Sequence, residues 1–306
     1  MDSNTTLAPI CLFVYSRLSE TKQTVESLQR NMLASESQLF IFSDGAKTTE
    51  KISKVNDVRK YIHTISGFKK ITVVESAENK GLANSIIGGV TKVLNMYDRV
   101  IVLEDDLILA TNFLSFMNEA LTYYKDNKKV LNVSGYSFTL NYPKDYKYDV
   151  AFSLRFASLG WGVWKDRWEL VDWDLKDYKS FKWNLRKQLK FLKGGSDLCS
   201  LLSRQVNGKI DSWAIRFDYH HFKYDYVDVF PIISKVQYNG NNADATHTTH
   251  ESKMYETLLD VSDIQTFNFS DEIMVSRSVR KQFYNHYSLW SRLKDKISQL
   301  TWTKNN

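Results

Sequence analysis

Residues 10–134 alternate short, β-branched apolar runs with longer stretches of helical period, and few architectures accommodate that alternation. The runs at 10–15, 39–42, 71–74, 100–103 and 130–133 are short and apolar enough to read as buried strands. Between them, residues 20–33, 50–65, 82–96 and a stretch from Thr111 or Asn112 to about Tyr124 carry helical spacing, with Ser19 placed to cap the first. Strand, helix, strand at this spacing predicts right-handed crossovers, and so an α/β fold with a mostly parallel central sheet flanked by helices.

From about Tyr136 the character changes. Six of the eight tryptophans fall between Trp161 and Trp213, and the period becomes mostly helical. With no Pro-, Gly- or Ser-rich linker between them, residues 1–135 and 136–275 are expected as two halves of one domain, and 276–306 as an appendage. A chain of 306 residues is long enough to bury a sizeable core.

The formal net charge is +6, from 41 basic and 35 acidic residues. It is unevenly placed: residues 277–306 hold seven basic residues and one acidic, so residues 1–276 hold 34 of each sign. A neutral body is a poor candidate for a nucleic-acid binder working over its full surface. Cys11 and Cys199 offer neither a disulfide framework nor paired metal-ligand spacing, so the expected compartment is the reducing cytosol. The apolar run at 10–15 is too short for a signal segment or a membrane span.

In open α/β sheets, ligands gather beyond the carboxyl ends of the strands. Three polar segments fall at such ends: Tyr15-Ser16-Arg17, Ser43-Asp44-Gly45 and Glu104-Asp105-Asp106. Three consecutive carboxylates repel one another unless something positive neutralises them. A Mg²⁺ or Mn²⁺ ion carrying a diphosphate would do so; a solvated acidic turn capping the next helix is the plain alternative. Asp44 is either part of an Asp-Gly turn or an acceptor for a nucleotide base. Arg17 is a surface charge or a contact to base or phosphate. Asn79-Lys80-Gly81, just before a helix, is a turn or a place where a nucleotide is met. No P-loop and no Gly-rich dinucleotide fingerprint is present, which argues against kinases, ATPases and dehydrogenases.

The stretch from Val100 through Glu104-Asp105-Asp106 to Phe116 resembles the metal-binding segment of the A-type glycosyltransferase fold. In particular it resembles that of the N-acetylglucosaminyltransferase I family and its bacterial relatives. Further pieces follow in the same order over roughly residues 9–250: the two earlier strand ends, 77–81, Val130 to Ser134, Leu159-Gly160-Trp161, Ile210-Asp211-Ser212-Trp213 and Thr246-His247. The resemblance implies a metal-dependent, inverting glycosyltransferase using Mn²⁺ or Mg²⁺. Its donor would be a UDP-sugar such as UDP-N-acetylglucosamine, and its acceptor a glycan or lipid-linked hydroxyl in bacterial polysaccharide synthesis. It implies Asp106 as metal ligand and sets Thr246-His247 near the diphosphate; read from its polar loop alone, His247 is a third ligand, a diphosphate contact or a surface histidine. Arg17, Asp44, Lys80, Glu104 and Asp105 would hold the nucleotide-sugar in the first half, and Asp211 would be the general base in the second. Lys80 and the 239–249 loop depart from the animal members.

Read from the residues alone, Asp211 is also a natural helix N-cap. Trp161 and Trp213 are expected along a sugar-acceptor cleft, whereas Trp164 and Trp168 read as core. His220 and His221 read as structural, and His247-x-x-His250 is too sparse for zinc. A sugar-nucleotide pyrophosphorylase, or a non-catalytic carbohydrate- or partner-binding protein, are the competing classes. In the tail, Phe283, Tyr287, Trp290, Leu293, Ile297 and Leu300 fall on one helical stripe flanked by Arg292, Lys294 and Lys296. Such a helix docks on the body or another subunit, or holds a cytoplasmic protein on the inner face of the cell membrane.

Overall fold

The computed structural model describes residues 6–240 and 255–294. Its first half follows the expected alternation: β1 (Ile10–Val14), α1 (Leu18–Gln29), β2 (Gln38–Ser43), α2 (Ile52–Ile62), β3 (Lys70–Glu75), α3 (Leu82–Leu94) and β4 (Arg99–Glu104). β5 (Leu107–Leu109), α4 (Phe113–Tyr123) and β6 (Val130–Ser134) complete it. α1 begins earlier than its expected Ser19 cap. The backbone N–H and hydroxyl of Thr21 both donate to the Arg17 carbonyl, at 3.0 and 2.6 Å, which moves the first turn back to Leu18.

The second half holds more strand than its helical period suggests. It runs β7 (Val150–Ser153), β8 (Trp161–Trp164), α5 (Lys165–Trp168), α6 (Tyr178–Lys182), α7 (Leu185–Phe191), α8 (Leu198–Val206), α9 (Trp213–Lys223), β9 (Val227–Pro231), β10 (Val236–Tyr238) and α10 (Arg277–His286). The described strands form a sheet in the order β3-β2-β1-β4-β8-β6-β9-β7. Its first four strands are mutually parallel, as expected. The remainder is mixed, because β8 enters antiparallel between β4 and β6. Gly162 makes that insertion fit, since a Cβ there would stand 2.9 Å from Leu121 and 3.0 Å from the Val100 carbonyl.

The sheet is covered on both faces. Ile10, Leu12 and Val14 turn to one layer with Val25 of α1, Val58 of α2 and Leu114 of α4. Cys11 and Phe13 turn to the other with Ile86 of α3 and Phe217 of α9. A second ribbon, β5 against β10, lies beside α1, where the hydroxyls of Thr24 and Ser27 accept from the N–H groups of Leu107 and Leu109 at 3.0 and 3.1 Å. Those bonds occupy an edge of β5 that would otherwise lack partners.

The tail is not one continuous helix. α10 ends at His286, a turn passes through Tyr287 and Ser288, and residues 289–294 are helical again. Its first part docks on the body. Val279, Phe283 and Tyr287 are buried, Phe283 packs on Phe138 and Phe230, and the Arg155 guanidinium lies 3.7 Å from the centre of the Tyr287 ring. Ile297 and Leu300 lie outside the described residues. In the described part of the tail, body contact accounts for Phe283 and Tyr287, and leaves Trp290 and Leu293 exposed.

Candidate active site

Because β2, β1 and β4 are adjacent and parallel, their carboxyl ends finish side by side. The register pairs Val14 with Ser43 and Phe13 with Glu104, so the three polar segments emerge together. Arg17 closes the gap between them. Its Nη2 bonds Asp105 Oδ1 and stands 2.9 Å from Asp106 Oδ2, so two carboxylates converge on one nitrogen. The Tyr15 N–H donates to Asp105 Oδ2 at 3.3 Å.

This arrangement corrects the charge argument drawn from the triplet. The positive partner that three consecutive carboxylates need is, in part, Arg17 itself. It offsets one charge of three, and Glu20 of α1, also buried and close enough to act on Asp106, adds a fourth carboxylate. Burial pushes the Glu104 carboxyl up to about 8, with Asp106 and Asp105 adding to the shift. Burial likewise raises Asp105 to about 6 against the pull of Arg17, and raises Asp106. Burial works against the Arg17 charge too, but the two carboxylates outweigh it and hold the guanidinium protonated. The carboxylates thus outnumber the one cation that faces them, and burial favours their protonated forms.

Such a site suits a hard cation. Asp105 and Asp106 already share one positive nitrogen, which stands where an ion would meet both, and oxygen donors are what Mg²⁺ and Mn²⁺ prefer. Among the described residues no group of three or more His, Cys, Asp and Glu side chains is arranged to hold a metal. Further oxygens would therefore come from the ligand, as is usual for a cation bound with a diphosphate.

Asp44 has a different task from the one expected. Its carboxylate accepts from the N–H groups of Lys80 and Gly81 at 2.9 and 3.0 Å, and from Asn79 Nδ2 at 3.1 Å. Its lone pairs tie the end of β2 to the turn that opens α3, leaving little capacity for a base. Gly81 takes φ +76° there, a region that favours glycine. Gly45 lies so close to this turn that a Cβ would stand 2.5 Å from the Glu78 carbonyl carbon. Lys80 contributes its backbone to Asp44 and has an exposed side chain. From α2, Arg59 donates to Ser43 Oγ and the Ser76 carbonyl, fastening the ends of β2 and β3.

The β10 side of the site carries no motif in the sequence. The Asn239 N–H donates to the Asp106 carbonyl at 2.8 Å, and a Cβ on Gly240 would stand 2.7 Å from Asp106 Oδ2. The chain thus passes directly over the acidic loop before entering residues 241–254, and His247 and Thr246 lie outside the described residues. The pairing of β10 with β5 that brings this about leaves only a three-residue signal, Val236 to Tyr238.

The acceptor-side expectations fare differently. Trp161 and Trp213 line no cleft. They are 0% and 3% exposed and stack on each other with ring centres 4.9 Å apart. Trp168, Phe156 and Phe217 complete the cluster, so these rings join the sheet to α9 instead of receiving a sugar. The cause is β8, which carries Trp161 into the sheet interior. Asp211 just precedes α9 with its side chain 58% exposed, bonded to Arg216 at 2.7 Å and not to the acidic loop. The helix cap is its neighbour, as Ser212 Oγ accepts from the Ile215 N–H. His220 and His221 are buried in α9, where burial lowers them to about 4 and about 3, so both are neutral structural rings.

No protein-family model and no curated protein matches the chain. Among solved structures it is similar to the mannosyltransferase PcManGT from Pyrobaculum calidifontis, a complex with GDP-Man and Mn²⁺. That match has 14% identity over 53% of this chain and 46% of that one, with a TM-score of 0.34. It is also similar to S. aureus TarS, at 11% identity over 54% of this chain and 30% of that one, with a TM-score of 0.33. The chain spans less than half the length of either. Both TM-scores lie below 0.5, so the functional reading rests on the site's own geometry.

Proposed function

We propose that the chain is a metal-dependent, inverting glycosyltransferase of the A-type fold, moving a sugar from a nucleoside diphosphate to a hydroxyl of a glycan or lipid-linked acceptor. The observation that carries this is the convergence of Asp105 and Asp106 on a single cationic nitrogen, at the carboxyl edge of three adjacent parallel strands. A Mn²⁺ or Mg²⁺ ion held by Asp106, with Asp105 beside it, would neutralise the leaving diphosphate. Arg17, released from the carboxylates by such an ion, would offer its planar fork to phosphate. The turn at 79–81, held by Asp44, would border the nucleotide. Asp211 takes the proton of the acceptor hydroxyl as its oxygen attacks the anomeric carbon. The bond to the diphosphate breaks on the opposite face, and the centre inverts. From the resemblance of the acidic segment we take the donor to be a UDP-sugar such as UDP-N-acetylglucosamine, the product class bacterial polysaccharide, and the location the cytoplasm or the cytoplasmic face of the membrane.

A thermal-shift screen of nucleoside diphosphates with and without Mn²⁺ tests this. One base should raise the melting temperature only when Mn²⁺ is present, and Asp106→Asn should abolish that gain. Asp211→Ala should keep the gain and lose transfer. Arg17 also supports a second reading, a non-catalytic carbohydrate-binding protein, because its ion pairs reduce the cost of an empty acidic loop. Mn²⁺-independent melting with every nucleotide would favour that reading.

A further inference from the structure

The neutral body carries a strongly basic surface that the total charge conceals. Residues 178–195 contain six basic residues and no acidic one. They form α6, α7 and a 3₁₀ turn, Leu192–Gly194. Phe181 and Phe191 bury one side of this segment in a small core with Leu198 and Tyr219. The other side is apolar and open to solvent: Trp183 is 83% exposed, and Leu185 and Leu189, four apart on α7, are more than half exposed. Lys182, Arg186, Lys187 and Lys193 are exposed around them, with the Lys182 ammonium 5.4 Å from the centre of the Trp183 ring.

The same corner meets the tail. Arg292 donates to Ser196 Oγ at 3.1 Å, and Ser196 donates to the Tyr287 carbonyl at 2.9 Å. These bonds bring residues 289–294, with Leu289 and Trp290 exposed, beside the end of the 3₁₀ turn.

We propose that α6–α7 and the adjoining 289–294 segment form a docking surface for an anionic lipid bilayer. An exposed tryptophan suits the headgroup level, leucines the acyl boundary, and lysines with long apolar stems the phosphate layer. Lys190 is ion-paired with Asp225, and lipid phosphates supply the negative charge that the other five basic residues lack within the segment. A second copy would bring the same positive surface against this one, and like charge opposes that pairing. The surface is separate from the acidic loop. It deepens the proposed function, on which it rests only for the nature of the acceptor, by holding the chain beside lipid-linked molecules.

The test is flotation of the full chain with phosphatidylcholine vesicles, with and without phosphatidylglycerol, alongside tryptophan fluorescence. The chain should float with anionic vesicles alone, with a blue shift, and should be released by high salt. W183S/L189S and K182E/K187E should each lower partitioning at least tenfold, the second because each lysine near an anionic surface contributes severalfold. Absence of binding to anionic vesicles, undiminished binding by both variants, or a dimer in sedimentation velocity that W183S/L189S dissolves would each overturn the proposal. Vesicle binding requires no transfer, so its failure is distinguishable from failure of the catalytic reading. Both variants should keep the parent's nucleotide-dependent melting.

Discussion

Arg17 holds two carboxylates with one nitrogen, and removing it leaves them buried without a counter-charge. Breaking a buried pair from one side costs about 3–5 kcal/mol, so Arg17→Ala should melt well below the parent. Mn²⁺ should raise the variant's melting temperature more than the parent's, because the ion no longer competes with the guanidinium; equal gains would argue against a shared position. Asp218 of α9 offers a second measurement. Burial raises its carboxyl to about 7, against the pull of Arg155 and of the Phe156 N–H, which donates to it at 2.8 Å. The folded state therefore keeps a proton that the unfolded chain loses near its ordinary value of about 4. Between those values the unfolded chain binds fewer protons, and this contribution to stability falls as pH rises. Asp218→Asn should flatten that decline, seen in melting temperatures from pH 4 to pH 7. At this scale the sequence made the acidic triplet legible, since three carboxylates after an apolar run need no alignment to be noticed. The Arg17 bond was not legible, because it depends on which strands are neighbours.

Among the elements, the turns are as constrained as the strands. Gly45→Ala should shift the 78–79 backbone and cost about 1–3 kcal/mol, read from a lower denaturant midpoint at unchanged slope. α10 makes a comparable contribution from the far end of the chain. Phe283→Ala should cost about 3 kcal/mol through the void it leaves between Phe138 and Phe230, seen as a lower denaturant midpoint. The parallel strands were readable because each carries a nearly continuous apolar run, fully buried in β1 and flanked by polar residues at the ends of β2, β3 and β4. β8 was not: its four residues include a glycine and follow another, the pattern of a turn, and only the partners around Gly162 explain it. The misplacement of Trp161 follows from that one element, and Trp213 follows Trp161 by stacking on it.

Across the molecule, charge gathers in a buried acidic loop at the carboxyl ends of the parallel strands, on a basic α6–α7 surface and in a basic tail. A net figure of +6 describes none of them. The order of the sheet has a further consequence for how the chain is made. β4 has one flank against β1, while its other flank waits for β8, roughly sixty residues later in synthesis. Until then the nascent chain presents an open row of backbone donors and acceptors beside the acidic loop, and such edges recruit other chains. A fragment ending near residue 135 should therefore aggregate when expressed alone. Adding back 136–294 as a separate polypeptide should recover soluble material through strand exchange, linking assembly of the site to completion of the sheet.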